Sequence, residues 1–220
     1  MAGHPAFTFL KDESQTIGGF GRNDRFSYVQ RFGGPGEVAN RVLLEAGTAS
    51  GREPTVEIEL RSYPSEFLSA KGLTLGAEDE SAFTMRLLHF RRTFVEKIFA
   101  IHGKVELFKR DRTPLGTYAR HYYDLAMLAT QDDVVAMPRS SEYNAIKTDY
   151  DEISRLYFSS RYFWPKDMSF ANSDALFPGD ELSAALGPQY EEQCRQLCYG
   201  PYPSWTDVQK KLQELRLLLS

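Results

Sequence analysis

The chain is poor in the residues that mark metal centres and disulfide frameworks. Only two cysteines occur in 220 residues, Cys194 and Cys198, and the four histidines form no H-x-H or H-x-x-x-H pair. Helix geometry does not readily close a disulfide between such near neighbours, so we expect two reduced thiols packed as small apolar groups. A zinc enzyme is unsupported.

Long apolar runs and an excess of basic residues are also missing. No stretch approaches the roughly 20 apolar residues that span a bilayer, and the chain does not open with a basic region followed by an apolar run. We therefore expect a cytoplasmic protein without a membrane partner. The formal net charge of -4 argues against a protein that coats nucleic acid non-specifically, although it is compatible with a local basic cleft.

The first part of the chain favours β-structure. Short β-like runs lie at 7–10, 41–46, 55–60 and 83–88, separated by glycine-rich segments. The run at 55–60 alternates strictly between apolar and polar residues, as in a strand with one solvated face. We predict turns at 33–36 and 47–54, and a longer polar connection from Pro64 to Glu80.

Beyond residue 90 the apolar period becomes helical. Apolar residues from Phe94 to Val105 recur at three- and four-residue steps, Thr93 is a candidate cap, and the charged run at 109–112 is expected to be a basic loop. Further helices are predicted at 117–129, 140–158, 180–198 and 205–219, the last with Ser204 as its N-cap. The sequence thus predicts an α+β protein with a sheet region at 1–90 and a helical domain at 91–220.

Two segments of the helical half resemble a known family. Residues 93–97 read T-F-V-E-K and 100–102 read A-I-H, and after a basic stretch residues 120–125 read R-H-Y-Y-D-L. In order and spacing these resemble the second half of the AbiEii-type nucleotidyltransferase toxins, with their T-F-x-E-K, A-x-H and R-H-x-x-D-L patterns. Upstream, the L-E-A-G of 44–47 resembles a further family stretch, so the resemblance runs from about residue 40 to the C-terminus.

The resemblance implies a partial nucleotidyltransferase-like mixed sheet followed by a C-terminal helical bundle. It implies a toxin of a toxin–antitoxin or phage-defence system that transfers nucleotides from an NTP to tRNA or another RNA, with a cognate antitoxin as protein partner. Such transfer uses divalent metal ions, here Mg²⁺, held by carboxylates, and cations on the triphosphate.

The same resemblance implies roles for four residues. Lys97 would contact the nucleotide phosphates, a task suited to a compact charge on a flexible stem. Asp124 would orient Lys97 or assist the transfer, and Arg120 would add a phosphate or tRNA contact. Glu45 lies where a strand-borne metal ligand of the sheet is expected.

Each of these residues also has a purely structural interpretation. Arg120 and Asp124 are four apart on a predicted helix, where a surface ion pair explains both. Lys97 beside Glu96 suits a solvated helix face. The two nearby histidines, His102 and His121, suit packing or helix ends.

One part of the family pattern is not visible. A family member carries a glycine-glycine turn and then a strand with Asp-x-Asp or Asp-x-Glu, whereas here Gly18-Gly19 leads only to a solitary Asp24. The one Asp-x-Asp triplet, at 149–151, is expected to be an exposed helix face. We therefore expect a chain that lacks roughly the first third of a family member. Two functions stay open, an active transferase and a non-catalytic remnant that binds the antitoxin or RNA.

Overall fold

The computed structural model describes residues 3–30, 40–74, 76 and 81–220, so the predicted turn at 33–36 lies outside the described residues. The described strands are β1 (Phe7–Phe9), β2 (Gln15–Ile17), β3 (Gly21–Tyr28), β4 (Arg41–Gly47), β5 (Thr55–Leu60) and β6 (Phe83–Leu88). The described α-helices are α1 (Tyr63–Ala70), α2 (Phe90–Asp111), α3 (His121–Leu128), α4 (Asp132–Ala136), α5 (Ser141–Phe158), α6 (Asp180–Leu197) and α7 (Trp205–Leu215). This confirms the α+β class.

The strands form two small antiparallel sheets. β3 is the centre of the first sheet and pairs with β1, β2 and β4, while β5 and β6 form a separate two-stranded ribbon. In the ribbon Thr55 faces Leu88 and Leu60 faces Phe83. The four strands predicted from the sequence are all present, and β2 and β3 are additional ones that the sequence did not indicate.

The predicted polar connection from Pro64 to Glu80 is wrong at its start, because α1 occupies it. The Ser62 side chain caps this helix by accepting a hydrogen bond from the Ser65 N–H at 3.2 Å. Pro64 lies in the first turn, where its missing N–H would have had no helical partner in any case. Proline therefore starts this helix and does not prevent it.

The hydrophobic core lies in the helical half and is organised around α2. The buried face of α2 packs against α3, α5 and the segment before α6, and includes the fully buried Phe94, Val95, Ile98, Ile101 and Val105. This confirms the predicted stripe. The helix begins earlier than expected and is capped by the His89 side chain, so the prediction of Thr93 as cap is wrong. It also continues through 109–111, where the sequence predicted a loop.

The later helices follow the predicted ranges. Ser204 forms a capping box with Asp207 at the start of α7, which confirms the predicted N-cap. Near α3 the helical pattern is less regular, since residues 116–120 form a 3-10 turn and Tyr118 is 39% exposed. The short helix α4 was not indicated by the sequence. None of the helices described here is long and apolar enough to cross a membrane.

The sheet region contributes little to this core. Among the residues described before position 90, Phe26 is the one buried apolar side chain, it lies outside the core cluster around α2, and several other apolar side chains on the strands face solvent. The sheet region nevertheless contacts the helices. Phe20 packs its ring on Tyr157 and Phe158, with centroids 5.0 and 5.5 Å away, and the segment before β5 packs on Arg92 of α2.

Candidate functional site

Lys97 and Asp124 meet across the surface of α2 and α3. The Lys97 Nζ donates to Asp124 Oδ2 at 2.6 Å, and the two side chains are 22% and 32% exposed. The apolar faces of both helices point into the core, so these polar residues emerge at the edge where the helices touch. The sequence resemblance therefore selected two residues, 27 positions apart, that are in direct contact.

His121 is the third member of this cluster, which we call the Lys97 cluster (Lys97, His121 and Asp124). Its Nδ1 lies 3.2 Å from Lys97 Nζ and 3.2 Å from Asp124 Oδ2. One ring nitrogen cannot accept from the ammonium and donate to the carboxylate at the same time. The tautomer of His121 therefore decides which of the two neighbours it binds.

Asp124 is held in its charged form by these neighbours. Burial by itself would raise the pKa of the carboxyl, but hydrogen bonds from His121 and Lys97, together with their charge, outweigh it and lower the pKa below its usual value. Near neutral pH the carboxylate is ionised. It therefore fixes the position of the Lys97 ammonium on the surface.

Two further side chains extend the Lys97 cluster along α2. The ring of Tyr118 meets His121 edge to face with centroids 5.3 Å apart, and Lys104 Nζ lies 4.0 Å from the centre of the Tyr118 ring. Lys97 and Lys104 are about two helical turns apart. The sequence did not single out Lys104 or Tyr118, because their place here depends on contacts between separate segments.

Arg120 is near the cluster in sequence but does not take part in it. The alternative that it forms an ion pair with Asp124 is wrong, because Asp124 pairs with Lys97 and His121 and not with Arg120. Arg120 is exposed, and among the residues described it has no hydrogen-bond or ion-pair partner. The nearby His102, in contrast, is buried and bonds Ser173 at 2.9 Å, which agrees with a packing role.

Glu45 lies apart from the Lys97 cluster. It is exposed on β4, opposite Asn23 of β3, in a cavity of about 310 Å³ that also contains Phe20 and Phe158. The lining of this cavity holds no second carboxylate, histidine or cysteine. Glu45 as a metal ligand stays a prediction.

The sequence indicated that the Asp-x-Asp triplet at 149–151 is an exposed helix face, and the structure shows that it is only partly exposed, with the Asp149 side chain 46% and the Asp151 side chain 18% in solvent. Asp149 accepts a hydrogen bond from Arg92 at 2.5 Å, and Asp151 accepts from Arg155 and Tyr162, at 2.7 Å each. Tyr150 between them stacks on Phe99 at 4.3 Å. The two carboxylates therefore serve different partners and do not converge.

Mg²⁺ needs several oxygen ligands around one point, and carboxylates usually supply the protein's share. Within the described ranges no group of three or more His, Cys, Asp and Glu side chains is arranged to hold a metal ion. The described residues therefore do not fit the magnesium ion that the resemblance implied.

A further cavity lies between the β4–β5 connection and α5. Its volume is about 610 Å³, and Arg92 forms part of its wall with Arg52, Asp149 and Tyr157. Arg92 is only 2% exposed. Its guanidinium donates hydrogen bonds to Glu96 at 2.8 Å, to the Glu53 carbonyl at 2.7 Å and to Asp149. Arg52 is exposed, and no partner for it is seen in the described part of the chain.

The α+β class and the contact between Lys97 and Asp124 agree with part of what the sequence resemblance implied. A family model described as Nucleotidyl transferase AbiEii toxin, Type IV TA system matches residues 4–208, and the chain belongs to this family.

The match begins well before residue 40, where the sequence resemblance was predicted to start, and so includes β1 to β4. Membership makes the chain a nucleotidyltransferase-like toxin of a type IV toxin–antitoxin system and implies a cognate antitoxin. No match to the chain is found among curated proteins or solved structures.

Proposed function

We propose that this chain transfers a nucleotide from an NTP to an RNA such as tRNA, and that it does so in the cytoplasm, where both substrates occur. A cognate antitoxin would counter the toxic effect, in a toxin–antitoxin or phage-defence role. The 2.6 Å contact between Lys97 and Asp124 carries the proposal.

Lys97 has the features of a phosphate-binding group. An ammonium group has three donors: Asp124 accepts from one, and His121 accepts from a second in the tautomer whose Nδ1 carries no proton. Because the side chain is partly exposed, the third donor is free to meet a phosphate oxygen from solvent. Because Asp124 already holds the Lys97 ammonium in place, less side-chain conformational entropy is lost when the nucleotide binds.

Lys97 and the cations near it would also act during the transfer itself. In the transfer, a hydroxyl oxygen of the RNA bonds to the α-phosphorus, the bond from that phosphorus to the bridging oxygen breaks, and pyrophosphate leaves while the hydroxyl proton passes to water. Negative charge accumulates on the leaving group. Lys97 would neutralise part of that charge, and Lys104 and Arg120 are near enough in the fold to attract the nucleotide or the RNA.

A second function is favoured by one observation. Because the described residues supply no cluster of metal-binding side chains, the chain can also be a non-catalytic module that binds RNA or the antitoxin. In that case the Lys97 cluster would hold a phosphate group without transferring it.

Incubation of the purified chain with Mg²⁺, radiolabelled NTPs and tRNA separates these functions. We expect label to appear in the tRNA and to be lost in Lys97→Ala. Lys210→Ala, which removes an exposed lysine from α7, is the matched control and should retain transfer. NTP binding without transfer would favour the non-catalytic module. If the chain neither binds NTP nor transfers a nucleotide, the assignment of Lys97 as a phosphate-binding group is contradicted for both functions.

A further inference from the structure

We propose that the exposed side chains of Arg155, Phe158, Arg161 and Trp164 form a binding surface for single-stranded RNA. We call these four residues the aromatic–basic surface. The inference rests on the proposed function in taking RNA as the substrate, and it assigns the RNA a docking place away from the Lys97 cluster.

The aromatic members of this surface are about half open to solvent. Trp164 is 56% exposed and Phe158 is 43% exposed. The Arg155 guanidinium lies 4.6 Å from the centre of the Trp164 ring, which holds the indole in place by a cation–π contact. Rings that are fixed and exposed in this way are the platforms on which unpaired bases stack.

The charge of the segment also suits RNA. The chain as a whole is acidic, yet residues 153–166 contain two arginines and one lysine and no aspartate or glutamate. Asp151, Glu152 and Asp167 flank the stretch, and Glu152 and Asp167 are exposed. Asp151 is only 18% exposed and is engaged by Arg155 and Tyr162, so it contributes little negative charge to the surface.

Arg161 is the member best placed to meet a phosphate. It is exposed in the 3-10 turn that follows α5, and no hydrogen bond or ion pair to it is found among the residues described. A guanidinium group that is not already engaged can bind a phosphate with two parallel hydrogen bonds. Arg155 is also exposed, but it shares its charge with Asp151.

The surface is held by packed structure on both sides. Phe158 ends α5 and contacts Phe20 of the sheet region, with ring centroids 5.5 Å apart. Tyr162, two residues before Trp164, donates to Asp151 at 2.7 Å and lies 6.3 Å from the ring of Phe99 in the core. The exposed rings are therefore positioned before any ligand arrives.

Single-stranded RNA fits these features better than a duplex. A duplex hides its base faces and is bound mainly through phosphates and 2′-hydroxyls, which gives exposed rings no role. An unpaired segment presents both base faces and phosphates, so the rings and the arginines are used together.

The binding of a fluorescent oligouridine tests the proposal, with a probe of about 12 nucleotides, within the usual site size of such surfaces. Anisotropy is measured with the full chain and without NTP, over a range of salt concentrations. We expect Trp164→Ala to weaken binding by about 5- to 150-fold, and Trp164→Phe to restore most of it. Arg161→Gln should lower the salt dependence by about 0.7 in the slope of log K against log salt.

Two matched variants serve as controls. Tyr199→Ala removes an aromatic ring that is fully exposed elsewhere, and Lys210→Gln removes an exposed cation of α7. Both should bind the probe like the unmodified chain, and circular dichroism should show that all variants are folded.

The outcomes distinguish this inference from the proposed function. Equal losses in Trp164→Ala and Tyr199→Ala, or equally good competition by a duplex of the same length, would overturn the aromatic–basic surface even if tRNA is labelled. Binding that depends on Trp164 in a chain that transfers no nucleotide would support the surface and contradict the transferase.

Discussion

Gly51 lies directly against the guanidinium group of Arg92. A β-carbon built on Gly51 would be 1.4 Å from an Arg92 nitrogen, so no larger residue fits while the arginine keeps its place. Arg92 cannot easily move, because it is buried and bonded to Glu96, Asp149 and the Glu53 carbonyl. This contact joins the segment before β5 to α2 and α5.

We predict that Gly51→Ala destabilises the chain by about 1–3 kcal/mol, the usual effect of overpacking a filled site. The matched variant is Gly103→Ala within α2, where an added β-carbon meets nothing within 4 Å. Since alanine is the better helix former, Gly103→Ala should raise the free energy of unfolding by about 0.5–1 kcal/mol. Urea unfolding measures both, and equal effects of the two changes would contradict the role given to the Gly51 contact.

The Lys97 cluster predicts a pH dependence of stability. The pKa of Asp124 is lower in the folded chain than its ordinary value, so the stabilisation is present above the unfolded pKa and is lost as pH falls through the folded pKa. Asp124→Asn should therefore be less stable than the unmodified chain near pH 7, and the difference should shrink below about pH 4.

Urea unfolding at a series of pH values tests this prediction. The double variant Lys97→Met/Asp124→Asn should lose less than the sum of the two single changes at neutral pH, because the residues are in contact. A difference between Asp124→Asn and the unmodified chain that stays constant down to acid pH would show that the carboxylate is not stabilised by its neighbours.

The two cysteines should react differently. Burial raises the pKa of the Cys194 thiol to about 12, so very little reactive thiolate is present at neutral pH. Cys198 is less buried. We expect iodoacetamide to modify Cys198 in the folded chain and both cysteines in urea, as measured by mass spectrometry. Cys198→Ser should then leave the folded chain unlabelled, and rapid labelling of that variant would contradict the burial of Cys194.

We predict that removing the capping box of α7 lowers the stability of the chain. Ser204→Ala removes the hydroxyl that accepts from the Asp207 N–H at 3.2 Å, and should reduce the free energy of unfolding by about 0.5–2 kcal/mol. Ser160→Ala is the control, since this exposed serine makes no hydrogen bond within the described part of the chain. Thermal unfolding followed by circular dichroism should distinguish the two variants.

Helices with a regular apolar stripe were the most accessible to prediction. The stripes of α2 and α7 follow the helical period, and the strict alternation at 55–60 identified β5. β3 was missed because its sequence, G-R-N-D-R-F-S-Y, is polar and is held mainly by backbone pairing to three neighbours. α1 was missed because Pro64 was interpreted as part of a connection.

The site was predictable to a smaller extent. The resemblance identified Lys97 and Asp124, which are in contact, but the nearby Lys104 and Tyr118 come together only through the packing of α2 on the turn before α3. Glu45 was chosen from a short pattern on β4, and it lies in a different cavity. Contacts between residues far apart in sequence leave no local pattern, which explains these differences.

The confinement of the core to the helical half has a consequence for fluctuations of the fold. The β5–β6 ribbon consists of only two strands, a size that is marginal by itself, and apolar side chains such as Met85 and Phe83 remain in solvent. Its backbone hydrogen bonds can break without disturbing the helices around α2, so its amide protons should exchange with deuterated solvent through local opening. The helical half would then behave as the slowest-exchanging cooperative unit of the chain.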